Sequence, residues 1–235
     1  MSDLVLRVRS VRRATPTSRI VRVALDGLPF HYAPGQVASI GPPGVSELIP
    51  YSLASAPEET ARHDCIEFLI KVDAAGRWGT HFEPLRRGSR LAVRGPSGLF
   101  VFPDHPRERR FLFIAGGTGI APLRSMIRHA VISKIPGRLS LLYSARTPRD
   151  FAYLSELRSM ARGSELELSL AATREFTPRW RGDRGRIVVS KIATLIDDPA
   201  TLCFVCGPAA MVSAVPPMLE GLGVDRKRIR LEDWP

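Results

Sequence analysis

The segment FLFIAGGTGIAPLRSMI, Phe111–Ile127, restricts the fold of this chain more than any other stretch. An apolar run ends at Ala115, the residues Gly116, Gly117, Thr118 and Gly119 follow, and helical spacing of apolar residues begins near Ala121. A buried strand that turns through glycines into a helix is a βα unit, and such units build parallel sheets covered by helices. Glycine lets the chain turn tightly and lets a phosphate approach the backbone. The first N–H groups of the helix, at its positive dipole end, then face the anion. Pro122 fits the first helical turn, where a missing N–H costs little. The spacing is neither the P-loop GxxxxGK nor GxGxxG, so the strand–GGTG–helix context carries the phosphate reading.

The βα pattern repeats downstream. LSLLYSAR reads as a strand and FAYLSELRSMA as a helix; LELSLAAT and VVSKIATLI follow in the same order. TLCFVCGP is a strand, AAMVSAVPPMLEGLG a helix bent or restarted at Pro216-Pro217, and IRLEDW a last strand. Upstream the texture differs. LVLRVRSVRRAT, RIVRVALDG, QVASIGP, YSLASAP, CIEFLIKVD and SRLAVRGPSG are short strand-like runs separated by Gly and Pro clusters, with one helix over Thr80–Arg86. About six such strands suggest an antiparallel barrel or sandwich. The polar stretch Pro103-Asp104-His105-Pro106, continuing to Arg110, is the linker. The expectation is a β plus α/β protein: an antiparallel six-stranded barrel over residues 1–104, then a parallel-sheet α/β domain over 105–235.

Composition excludes several classes. Of 235 residues 44% are hydrophobic and 24% charged, which is globular and not disordered. No apolar run approaches the ~18 residues of a membrane span. Arg interrupts every short apolar stretch of MSDLVLRVRSVRR, so no signal-peptide core is expected and the protein reads as soluble and cytoplasmic. Cys65, Cys203 and Cys206 are too few for a disulfide framework or a four-thiolate cluster. Cys203-x-x-Cys206 lies inside a strand, so no metal site is expected. The net charge of +11 favours acidic partners. The Arg is dispersed and no nucleic-acid motif accompanies it, so no nucleic-acid partner is expected.

Other strand ends carry candidate chemistry. Tyr143-Ser144-Ala145-Arg146, with Arg149 near, can clamp a phosphate. Cys206-Gly207-Pro208 turns at the end of another strand. In the first half, Pro50-Tyr51-Ser52-Leu53 places an aromatic ring and a hydroxyl on one strand, able to stack on a flat ring and hydrogen-bond a ring nitrogen. Gly76-Arg77-Trp78-Gly79-Thr80 opens the one helix expected there and offers a second anion site.

Taken in order, these pieces resemble the ferredoxin–NADP reductase family of flavoproteins. PYSLASAP is similar to the family's flavin motif Arg-x-Tyr-Ser, IKV with GRWGTHF to its flavin-phosphate segment, GGTGIAP to its nucleotide phosphate loop, and FVCGPAAM to its Cys-Gly-Pro motif. LLYSARTPRDFAYLSEL is similar to its ribose-side segment, and TPRWRGDRGRI also has counterparts. The resemblance implies an FAD-binding barrel, an NAD(P)-binding domain, hydride transfer from nicotinamide to flavin, and single electrons passed on. It implies that Pro50, Tyr51, Ser52 and Leu53 meet the isoalloxazine, that Ile70, Lys71 and Val72 line the ribityl path, and that Trp78, Gly79 and Thr80 hold the flavin diphosphate. It implies that Gly117, Thr118, Gly119 and Pro122 hold the nucleotide diphosphate; Arg146 is placed to clamp a ribose phosphate or the diphosphate, and an Arg there also resembles relatives that use NADH. Cys206, Gly207 and Pro208 meet the nicotinamide, with Ser52, Cys206 and Glu232 as catalytic residues and Trp234 covering the flavin.

Two positions depart from the family pattern. Ile49 stands where the motif has Arg, and Gly79 where it has Ser. A lost charge-assisted contact is worth ~1.5–3 kcal/mol. Looser FAD, FMN in its place, or another cation such as Arg77 are the alternatives. Coenzyme choice leans to NADH or dual use, although Ser144, Arg146 and Arg149 can take a 2′-phosphate. With no iron–sulfur segment in the 235 residues, electrons are expected to leave to a separate protein, or to free flavin or oxygen; the basic charge points to an acidic partner such as a ferredoxin, a flavodoxin or an oxygenase component. The competing reading is a redox or regulatory subunit of the same fold with weakened flavin binding. The oligomeric state stays open.

Overall fold

Alternation of apolar and charged residues along β1 (Leu4–Thr15), with Leu6 and Val8 buried between exposed arginines, sets the inward face of a sheet. A computed structural model describes residues 3–73, 84–174 and 180–234. β1 pairs with β2 (Ser18–Ala24), and β3 (Val37–Gly41), β4 (Ile49–Ser52), β5 (Cys65–Lys71) and β6 (Arg90–Ser97) complete an antiparallel sheet in the order β4-β3-β6-β1-β2-β5. The two end strands meet through a bridge between Leu53 and Phe68 and a 2.8 Å bond from the Ala54 N–H to the Glu67 carbonyl, which closes a six-stranded barrel. Val21, Val23, Ala38, Ile40, Leu53, Ile66 and Phe68 fill its core.

Between β4 and β5 lies α1 (Pro57–His63), a helix not anticipated from the sequence. Pro57 opens it, Glu59 accepts the Ala56 N–H at 3.0 Å, and Glu58 and Glu59 sit in the first turn with Arg62 and His63 in the last.

The second half is a parallel sheet. β7 (Arg110–Gly116) leads through a 3₁₀ turn (Gly117–Gly119) into α2 (Ile120–Ile132). β8 (Arg138–Ala145), α3 (Leu154–Arg162), β9 (Glu167–Ala172), a two-residue β10 (Asp183–Arg184) and α4 (Val189–Ala193) follow. β11 (Leu202–Pro208), α5 (Ala209–Gly221) and β12 (Ile229–Trp234) complete it, in the order β10-β9-β8-β7-β11-β12. The chain winds one way from β7 to β10, then returns to the other side of β7. The reversal falls between β7 and β11, and ligands of such sheets bind beyond the carboxyl ends at this point.

The chain divides into two units, Met1–Phe102 with Arg124–Ser133, and Pro103–Leu123 with Lys134–Pro235. Residues 124–133 thus belong by packing to the barrel unit. Arg124 donates to the Ala54 carbonyl at 2.6 Å and pairs with Glu59 at 3.0 Å, and Ser125 donates to the Ser55 carbonyl at 2.7 Å.

Several expectations change. α5 runs unbroken through Pro216 and Pro217, because Val212, Val215, Pro216 and Leu219 are buried together and packing holds the helix where two N–H groups are missing. α4 is shorter than VVSKIATLI, since Val188 and Val189 stay exposed and Ile192 is its one buried anchor. Gly95–Ser97 continue β6 instead of turning away, with a cis Gly95-Pro96 bond. Of the helix expected over Thr80–Arg86, residues 80–83 lie outside the described residues, and Pro84–Arg86 are irregular.

Candidate active site

In the second unit the ends of β7 and β11 interlock through glycines. A Cβ on Gly119 would overlap the Cys206 carbonyl, and one on Gly116 would lie 2.8 Å from both the Met211 sulfur and the Pro208 ring. A Cβ on Gly207 would press on Met211 and the Gly116 backbone. Gly117 is different. Its φ of +55° lies in the left-handed region, and a Cβ there would meet no protein atom, because the residue borders open space. The Gly117 carbonyl accepts the Ile120 N–H, and the leading amides of the turn have no acceptor within the helix. Pro122 is buried in the first turn of α2.

That open space is a cavity of about 570 Å3 beyond the carboxyl ends of the sheet. Gly116 and Gly117 form one wall, Ser144 and Arg146 the end of β8, and Thr173 and Arg174 the end of β9. Gly185, Arg186 and Ile187 follow β10, and Pro208, Ala210, Met211, Ala214 and Met218 give an apolar wall along the start of α5. Among the described residues three arginines and no carboxylate line it. Arg149, also expected here, is exposed and does not line the cavity. Arg174 and Arg186 were missed. Arg174 follows its strand as Arg146 follows β8, so the same rule could have found it. Arg186 lies in TPRWRGDRGRI, which is matched to the family without a role for this residue.

Cys206 and Glu232 are brought together. They face each other across the β11–β12 ladder, with the thiol 3.9 Å from the Glu232 carboxylate. Burial, reinforced by Glu232, pushes the Cys206 thiol well above its ordinary range. Burial pushes the Glu232 carboxyl up to about 7, against an opposing hydrogen bond from Trp234. Trp234 pairs with Pro208 at the end of the ladder and is half-buried. Cys206 is fully buried and does not line the cavity, while Pro208 does.

In the barrel unit Tyr51 and Ser52 end β4. Tyr51 pairs with Ala38 and packs against the barrel core with part of its ring accessible; burial raises its phenol. Ser52 is 6% exposed, and its hydroxyl makes no hydrogen bond among the described residues. Leu53 is core, and Pro50 points outward. Ile70 and Val72 are buried and Lys71 exposed, on the stretch of β5 beyond the last bridge to β4. Ile49 stands two residues before Tyr51 on the same face, opposite Ile40. Trp78, Gly79 and Thr80, together with Arg77, lie outside the described residues. No group of metal-binding side chains occurs among the described residues.

Both halves fit the cofactors the motifs imply. A bare, left-handed Gly117 beside arginines suits a dinucleotide. The Ser52 hydroxyl, with no hydrogen bond among the described residues, and the partly accessible Tyr51 ring beside it suit a flavin ring.

Residues 113–216 match the family model described as oxidoreductase NAD-binding domain. The chain is 34% identical over 240 residues to ferredoxin–NADP reductase B of Sorangium cellulosum, covering 97% of this chain and 96% of that protein. The chain belongs to the ferredoxin–NADP reductase family. It is an oxidoreductase, and FAD and a nicotinamide dinucleotide are the cofactors of its family. It is also 30% identical to the reductase component of propane 2-monooxygenase from Mycolicibacterium smegmatis over 85% of this chain, but spans only 58% of that protein. Among solved structures, the ferredoxin reductase in carbazole 1,9a-dioxygenase superposes with a TM-score of 0.82 at 28% identity, covering 99% of this chain and 69% of that one. The six-stranded antiparallel barrel and the parallel sheet agree with that fold.

Proposed function

We propose that this family member is an NADPH-dependent flavoprotein reductase that serves a separate one-electron acceptor, an oxygenase component or a ferredoxin-type protein. The cavity carries the reading: a glycine turn with free amides and three arginines suit a diphosphate and one further phosphate. This favours NADPH over the NADH or dual use anticipated from the sequence.

The Thr118 and Gly119 amides bind the diphosphate. Arg146, Arg174 and Arg186, with Ser144 and Thr173, hold the 2′-phosphate. Ala210, Met211, Ala214 and Met218 exclude water from the adenine. The Cys206 thiol keeps its proton, buried beside Glu232, and the Gly207-Pro208 turn that follows it meets the nicotinamide. Glu232 holds or releases a proton near neutrality. Tyr51 offers a ring face, and the Ser52 hydroxyl donates to a flavin nitrogen. Bound FAD supplies the chemistry, accepting a hydride and releasing electrons singly. Two larger relatives named as monooxygenase reductase parts support the acceptor class.

The test is steady-state reduction of ferricyanide by the FAD-loaded protein with each coenzyme. NADPH is expected to exceed NADH in kcat/KM by about tenfold or more, since a charge-assisted phosphate contact is worth ~1.5–3 kcal/mol. Equal efficiency, or preference for NADH, contradicts the coenzyme assignment.

A further inference from the structure

The cavity has a buried support in the first residue of the Tyr143–Arg146 segment. Tyr143, in the last turn of β8, is fully buried. Its hydroxyl donates to the Gly117 carbonyl at 2.9 Å and accepts the Ala152 N–H at 3.1 Å. The Gly117 carbonyl also takes the Ile120 N–H, so both of its acceptor positions are filled. A trans peptide points its C=O and N–H in opposite directions. Fixing the Gly117 carbonyl toward Tyr143 therefore turns the Thr118 N–H away from that phenol. Gly117 has φ +55° and no Cβ, so without such a restraint this peptide can flip and aim a carbonyl where an anion sits.

The phenol ring is itself held. Phe151 packs edge-on against Tyr143 at 5.0 Å, and Trp180 stacks on Phe151 at 5.4 Å. The Trp180 indole donates to the Asp183 carbonyl at 3.0 Å, at the strand that precedes Gly185 and Arg186 of the cavity wall.

We propose that Tyr143 is a positioning residue, which sets the Gly117–Thr118 peptide so that its N–H is presented to the diphosphate of the nicotinamide coenzyme. The proposal rests on the coenzyme reading of the cavity.

The experiment compares wild-type and Tyr143→Phe holoprotein by titration with NADP+ and with adenosine 2′-monophosphate, which has the 2′-phosphate but no diphosphate. The variant is expected to bind NADP+ about five- to tenfold more weakly, the effect of one or two neutral hydrogen bonds. Its affinity for adenosine 2′-monophosphate is expected to hold within twofold, and the KM for NADPH to rise with little change in kcat. Unchanged NADP+ affinity overturns the proposal. Equal weakening toward both ligands also overturns it, by showing a general loss of the cavity. Failure of wild-type protein to bind either ligand overturns the coenzyme reading itself. If Tyr143→Phe does not fold, hydrogen exchange in the wild-type protein decides. An Ala152 amide as protected as the β8 ladder, and slowed further by NADP+, supports the restraint; an amide that exchanges like an open loop overturns it.

Discussion

At the scale of single residues, the site combines side chains whose environments push them in defined directions. The Glu232 carboxyl titrates at about 7 in the folded protein against 4.5 for an ordinary glutamate. A carboxyl raised on folding favours the folded state fully below the unfolded value, and that contribution disappears as pH rises from 4.5 through 7. The thermal midpoint of wild-type protein is expected to fall more between pH 5 and 8 than that of Glu232→Gln; parallel curves contradict the placement of Glu232. On the barrel side, Ile49→Arg restores a cation on the face of Tyr51 and is expected to tighten FAD by about ten- to a hundredfold, the value of a charge-assisted bond. A fluorescence titration of FAD checks this, and unchanged affinity means that another cation already serves. Ser52→Ala is expected to slow flavin reduction by about two- to tenfold with flavin still bound, read by stopped-flow absorbance. Ile49 and Ser52 were legible in the sequence because a motif names them. The bond from Tyr143 to Gly117 was not, since the two are 26 positions apart and nothing in LLYSAR marks a hydroxyl that faces inward.

At the scale of elements, the strands and the glycine turn were readable because apolar periodicity and turn residues act locally. α1 was not. PEETARH has a proline start and two acids in its first turn, but seven residues make a marginal helix alone. Its stability comes from far along the chain: Glu59 pairs with Arg124 and Arg128, and Glu58 meets His129. Burial would raise the Glu59 carboxyl, yet Arg124, the Ala56 N–H and Arg128 together hold it below the usual carboxylate range. Its contribution to stability is therefore present above the ordinary pKa and lost as pH falls through the lowered one. Arg124 is 6% exposed, and Arg124→Ala leaves Glu59 and Glu67 short of a buried counter-charge. The expected loss is ~3–5 kcal/mol in the free energy of unfolding by urea. A loss below about 1 kcal/mol would show that the cluster is solvated and of little weight. The proline pair in α5 and the short α4 were misread for the same reason, since burial on one face, not local propensity, decides where each helix runs.

At the scale of the whole molecule, two features matter. The barrel unit includes residues 124–133, which no break in composition announces. Met126 fills the space beside Gly35 of that unit, and Arg124 and Ser125 bond the Ala54 and Ser55 carbonyls. A fragment of residues 1–104 is therefore expected to unfold at lower urea than the barrel within the full chain, and equal midpoints contradict this packing. The net charge of +11 predicts that electron delivery to an acidic acceptor slows with rising salt, while reduction of a neutral quinone changes little. No helix among the described residues is long and apolar enough to cross a membrane. The reading as a whole rests on flavin that is bound and reducible. The decisive observation is the visible spectrum of the purified protein saturated with FAD and freed of excess, recorded without oxygen before and after NADPH. Retained flavin bands that bleach on adding NADPH are the predicted result. Protein that retains no flavin, or flavin that NADPH leaves oxidised, contradicts it and makes Ile49 the mark of a subunit that has given up the cofactor.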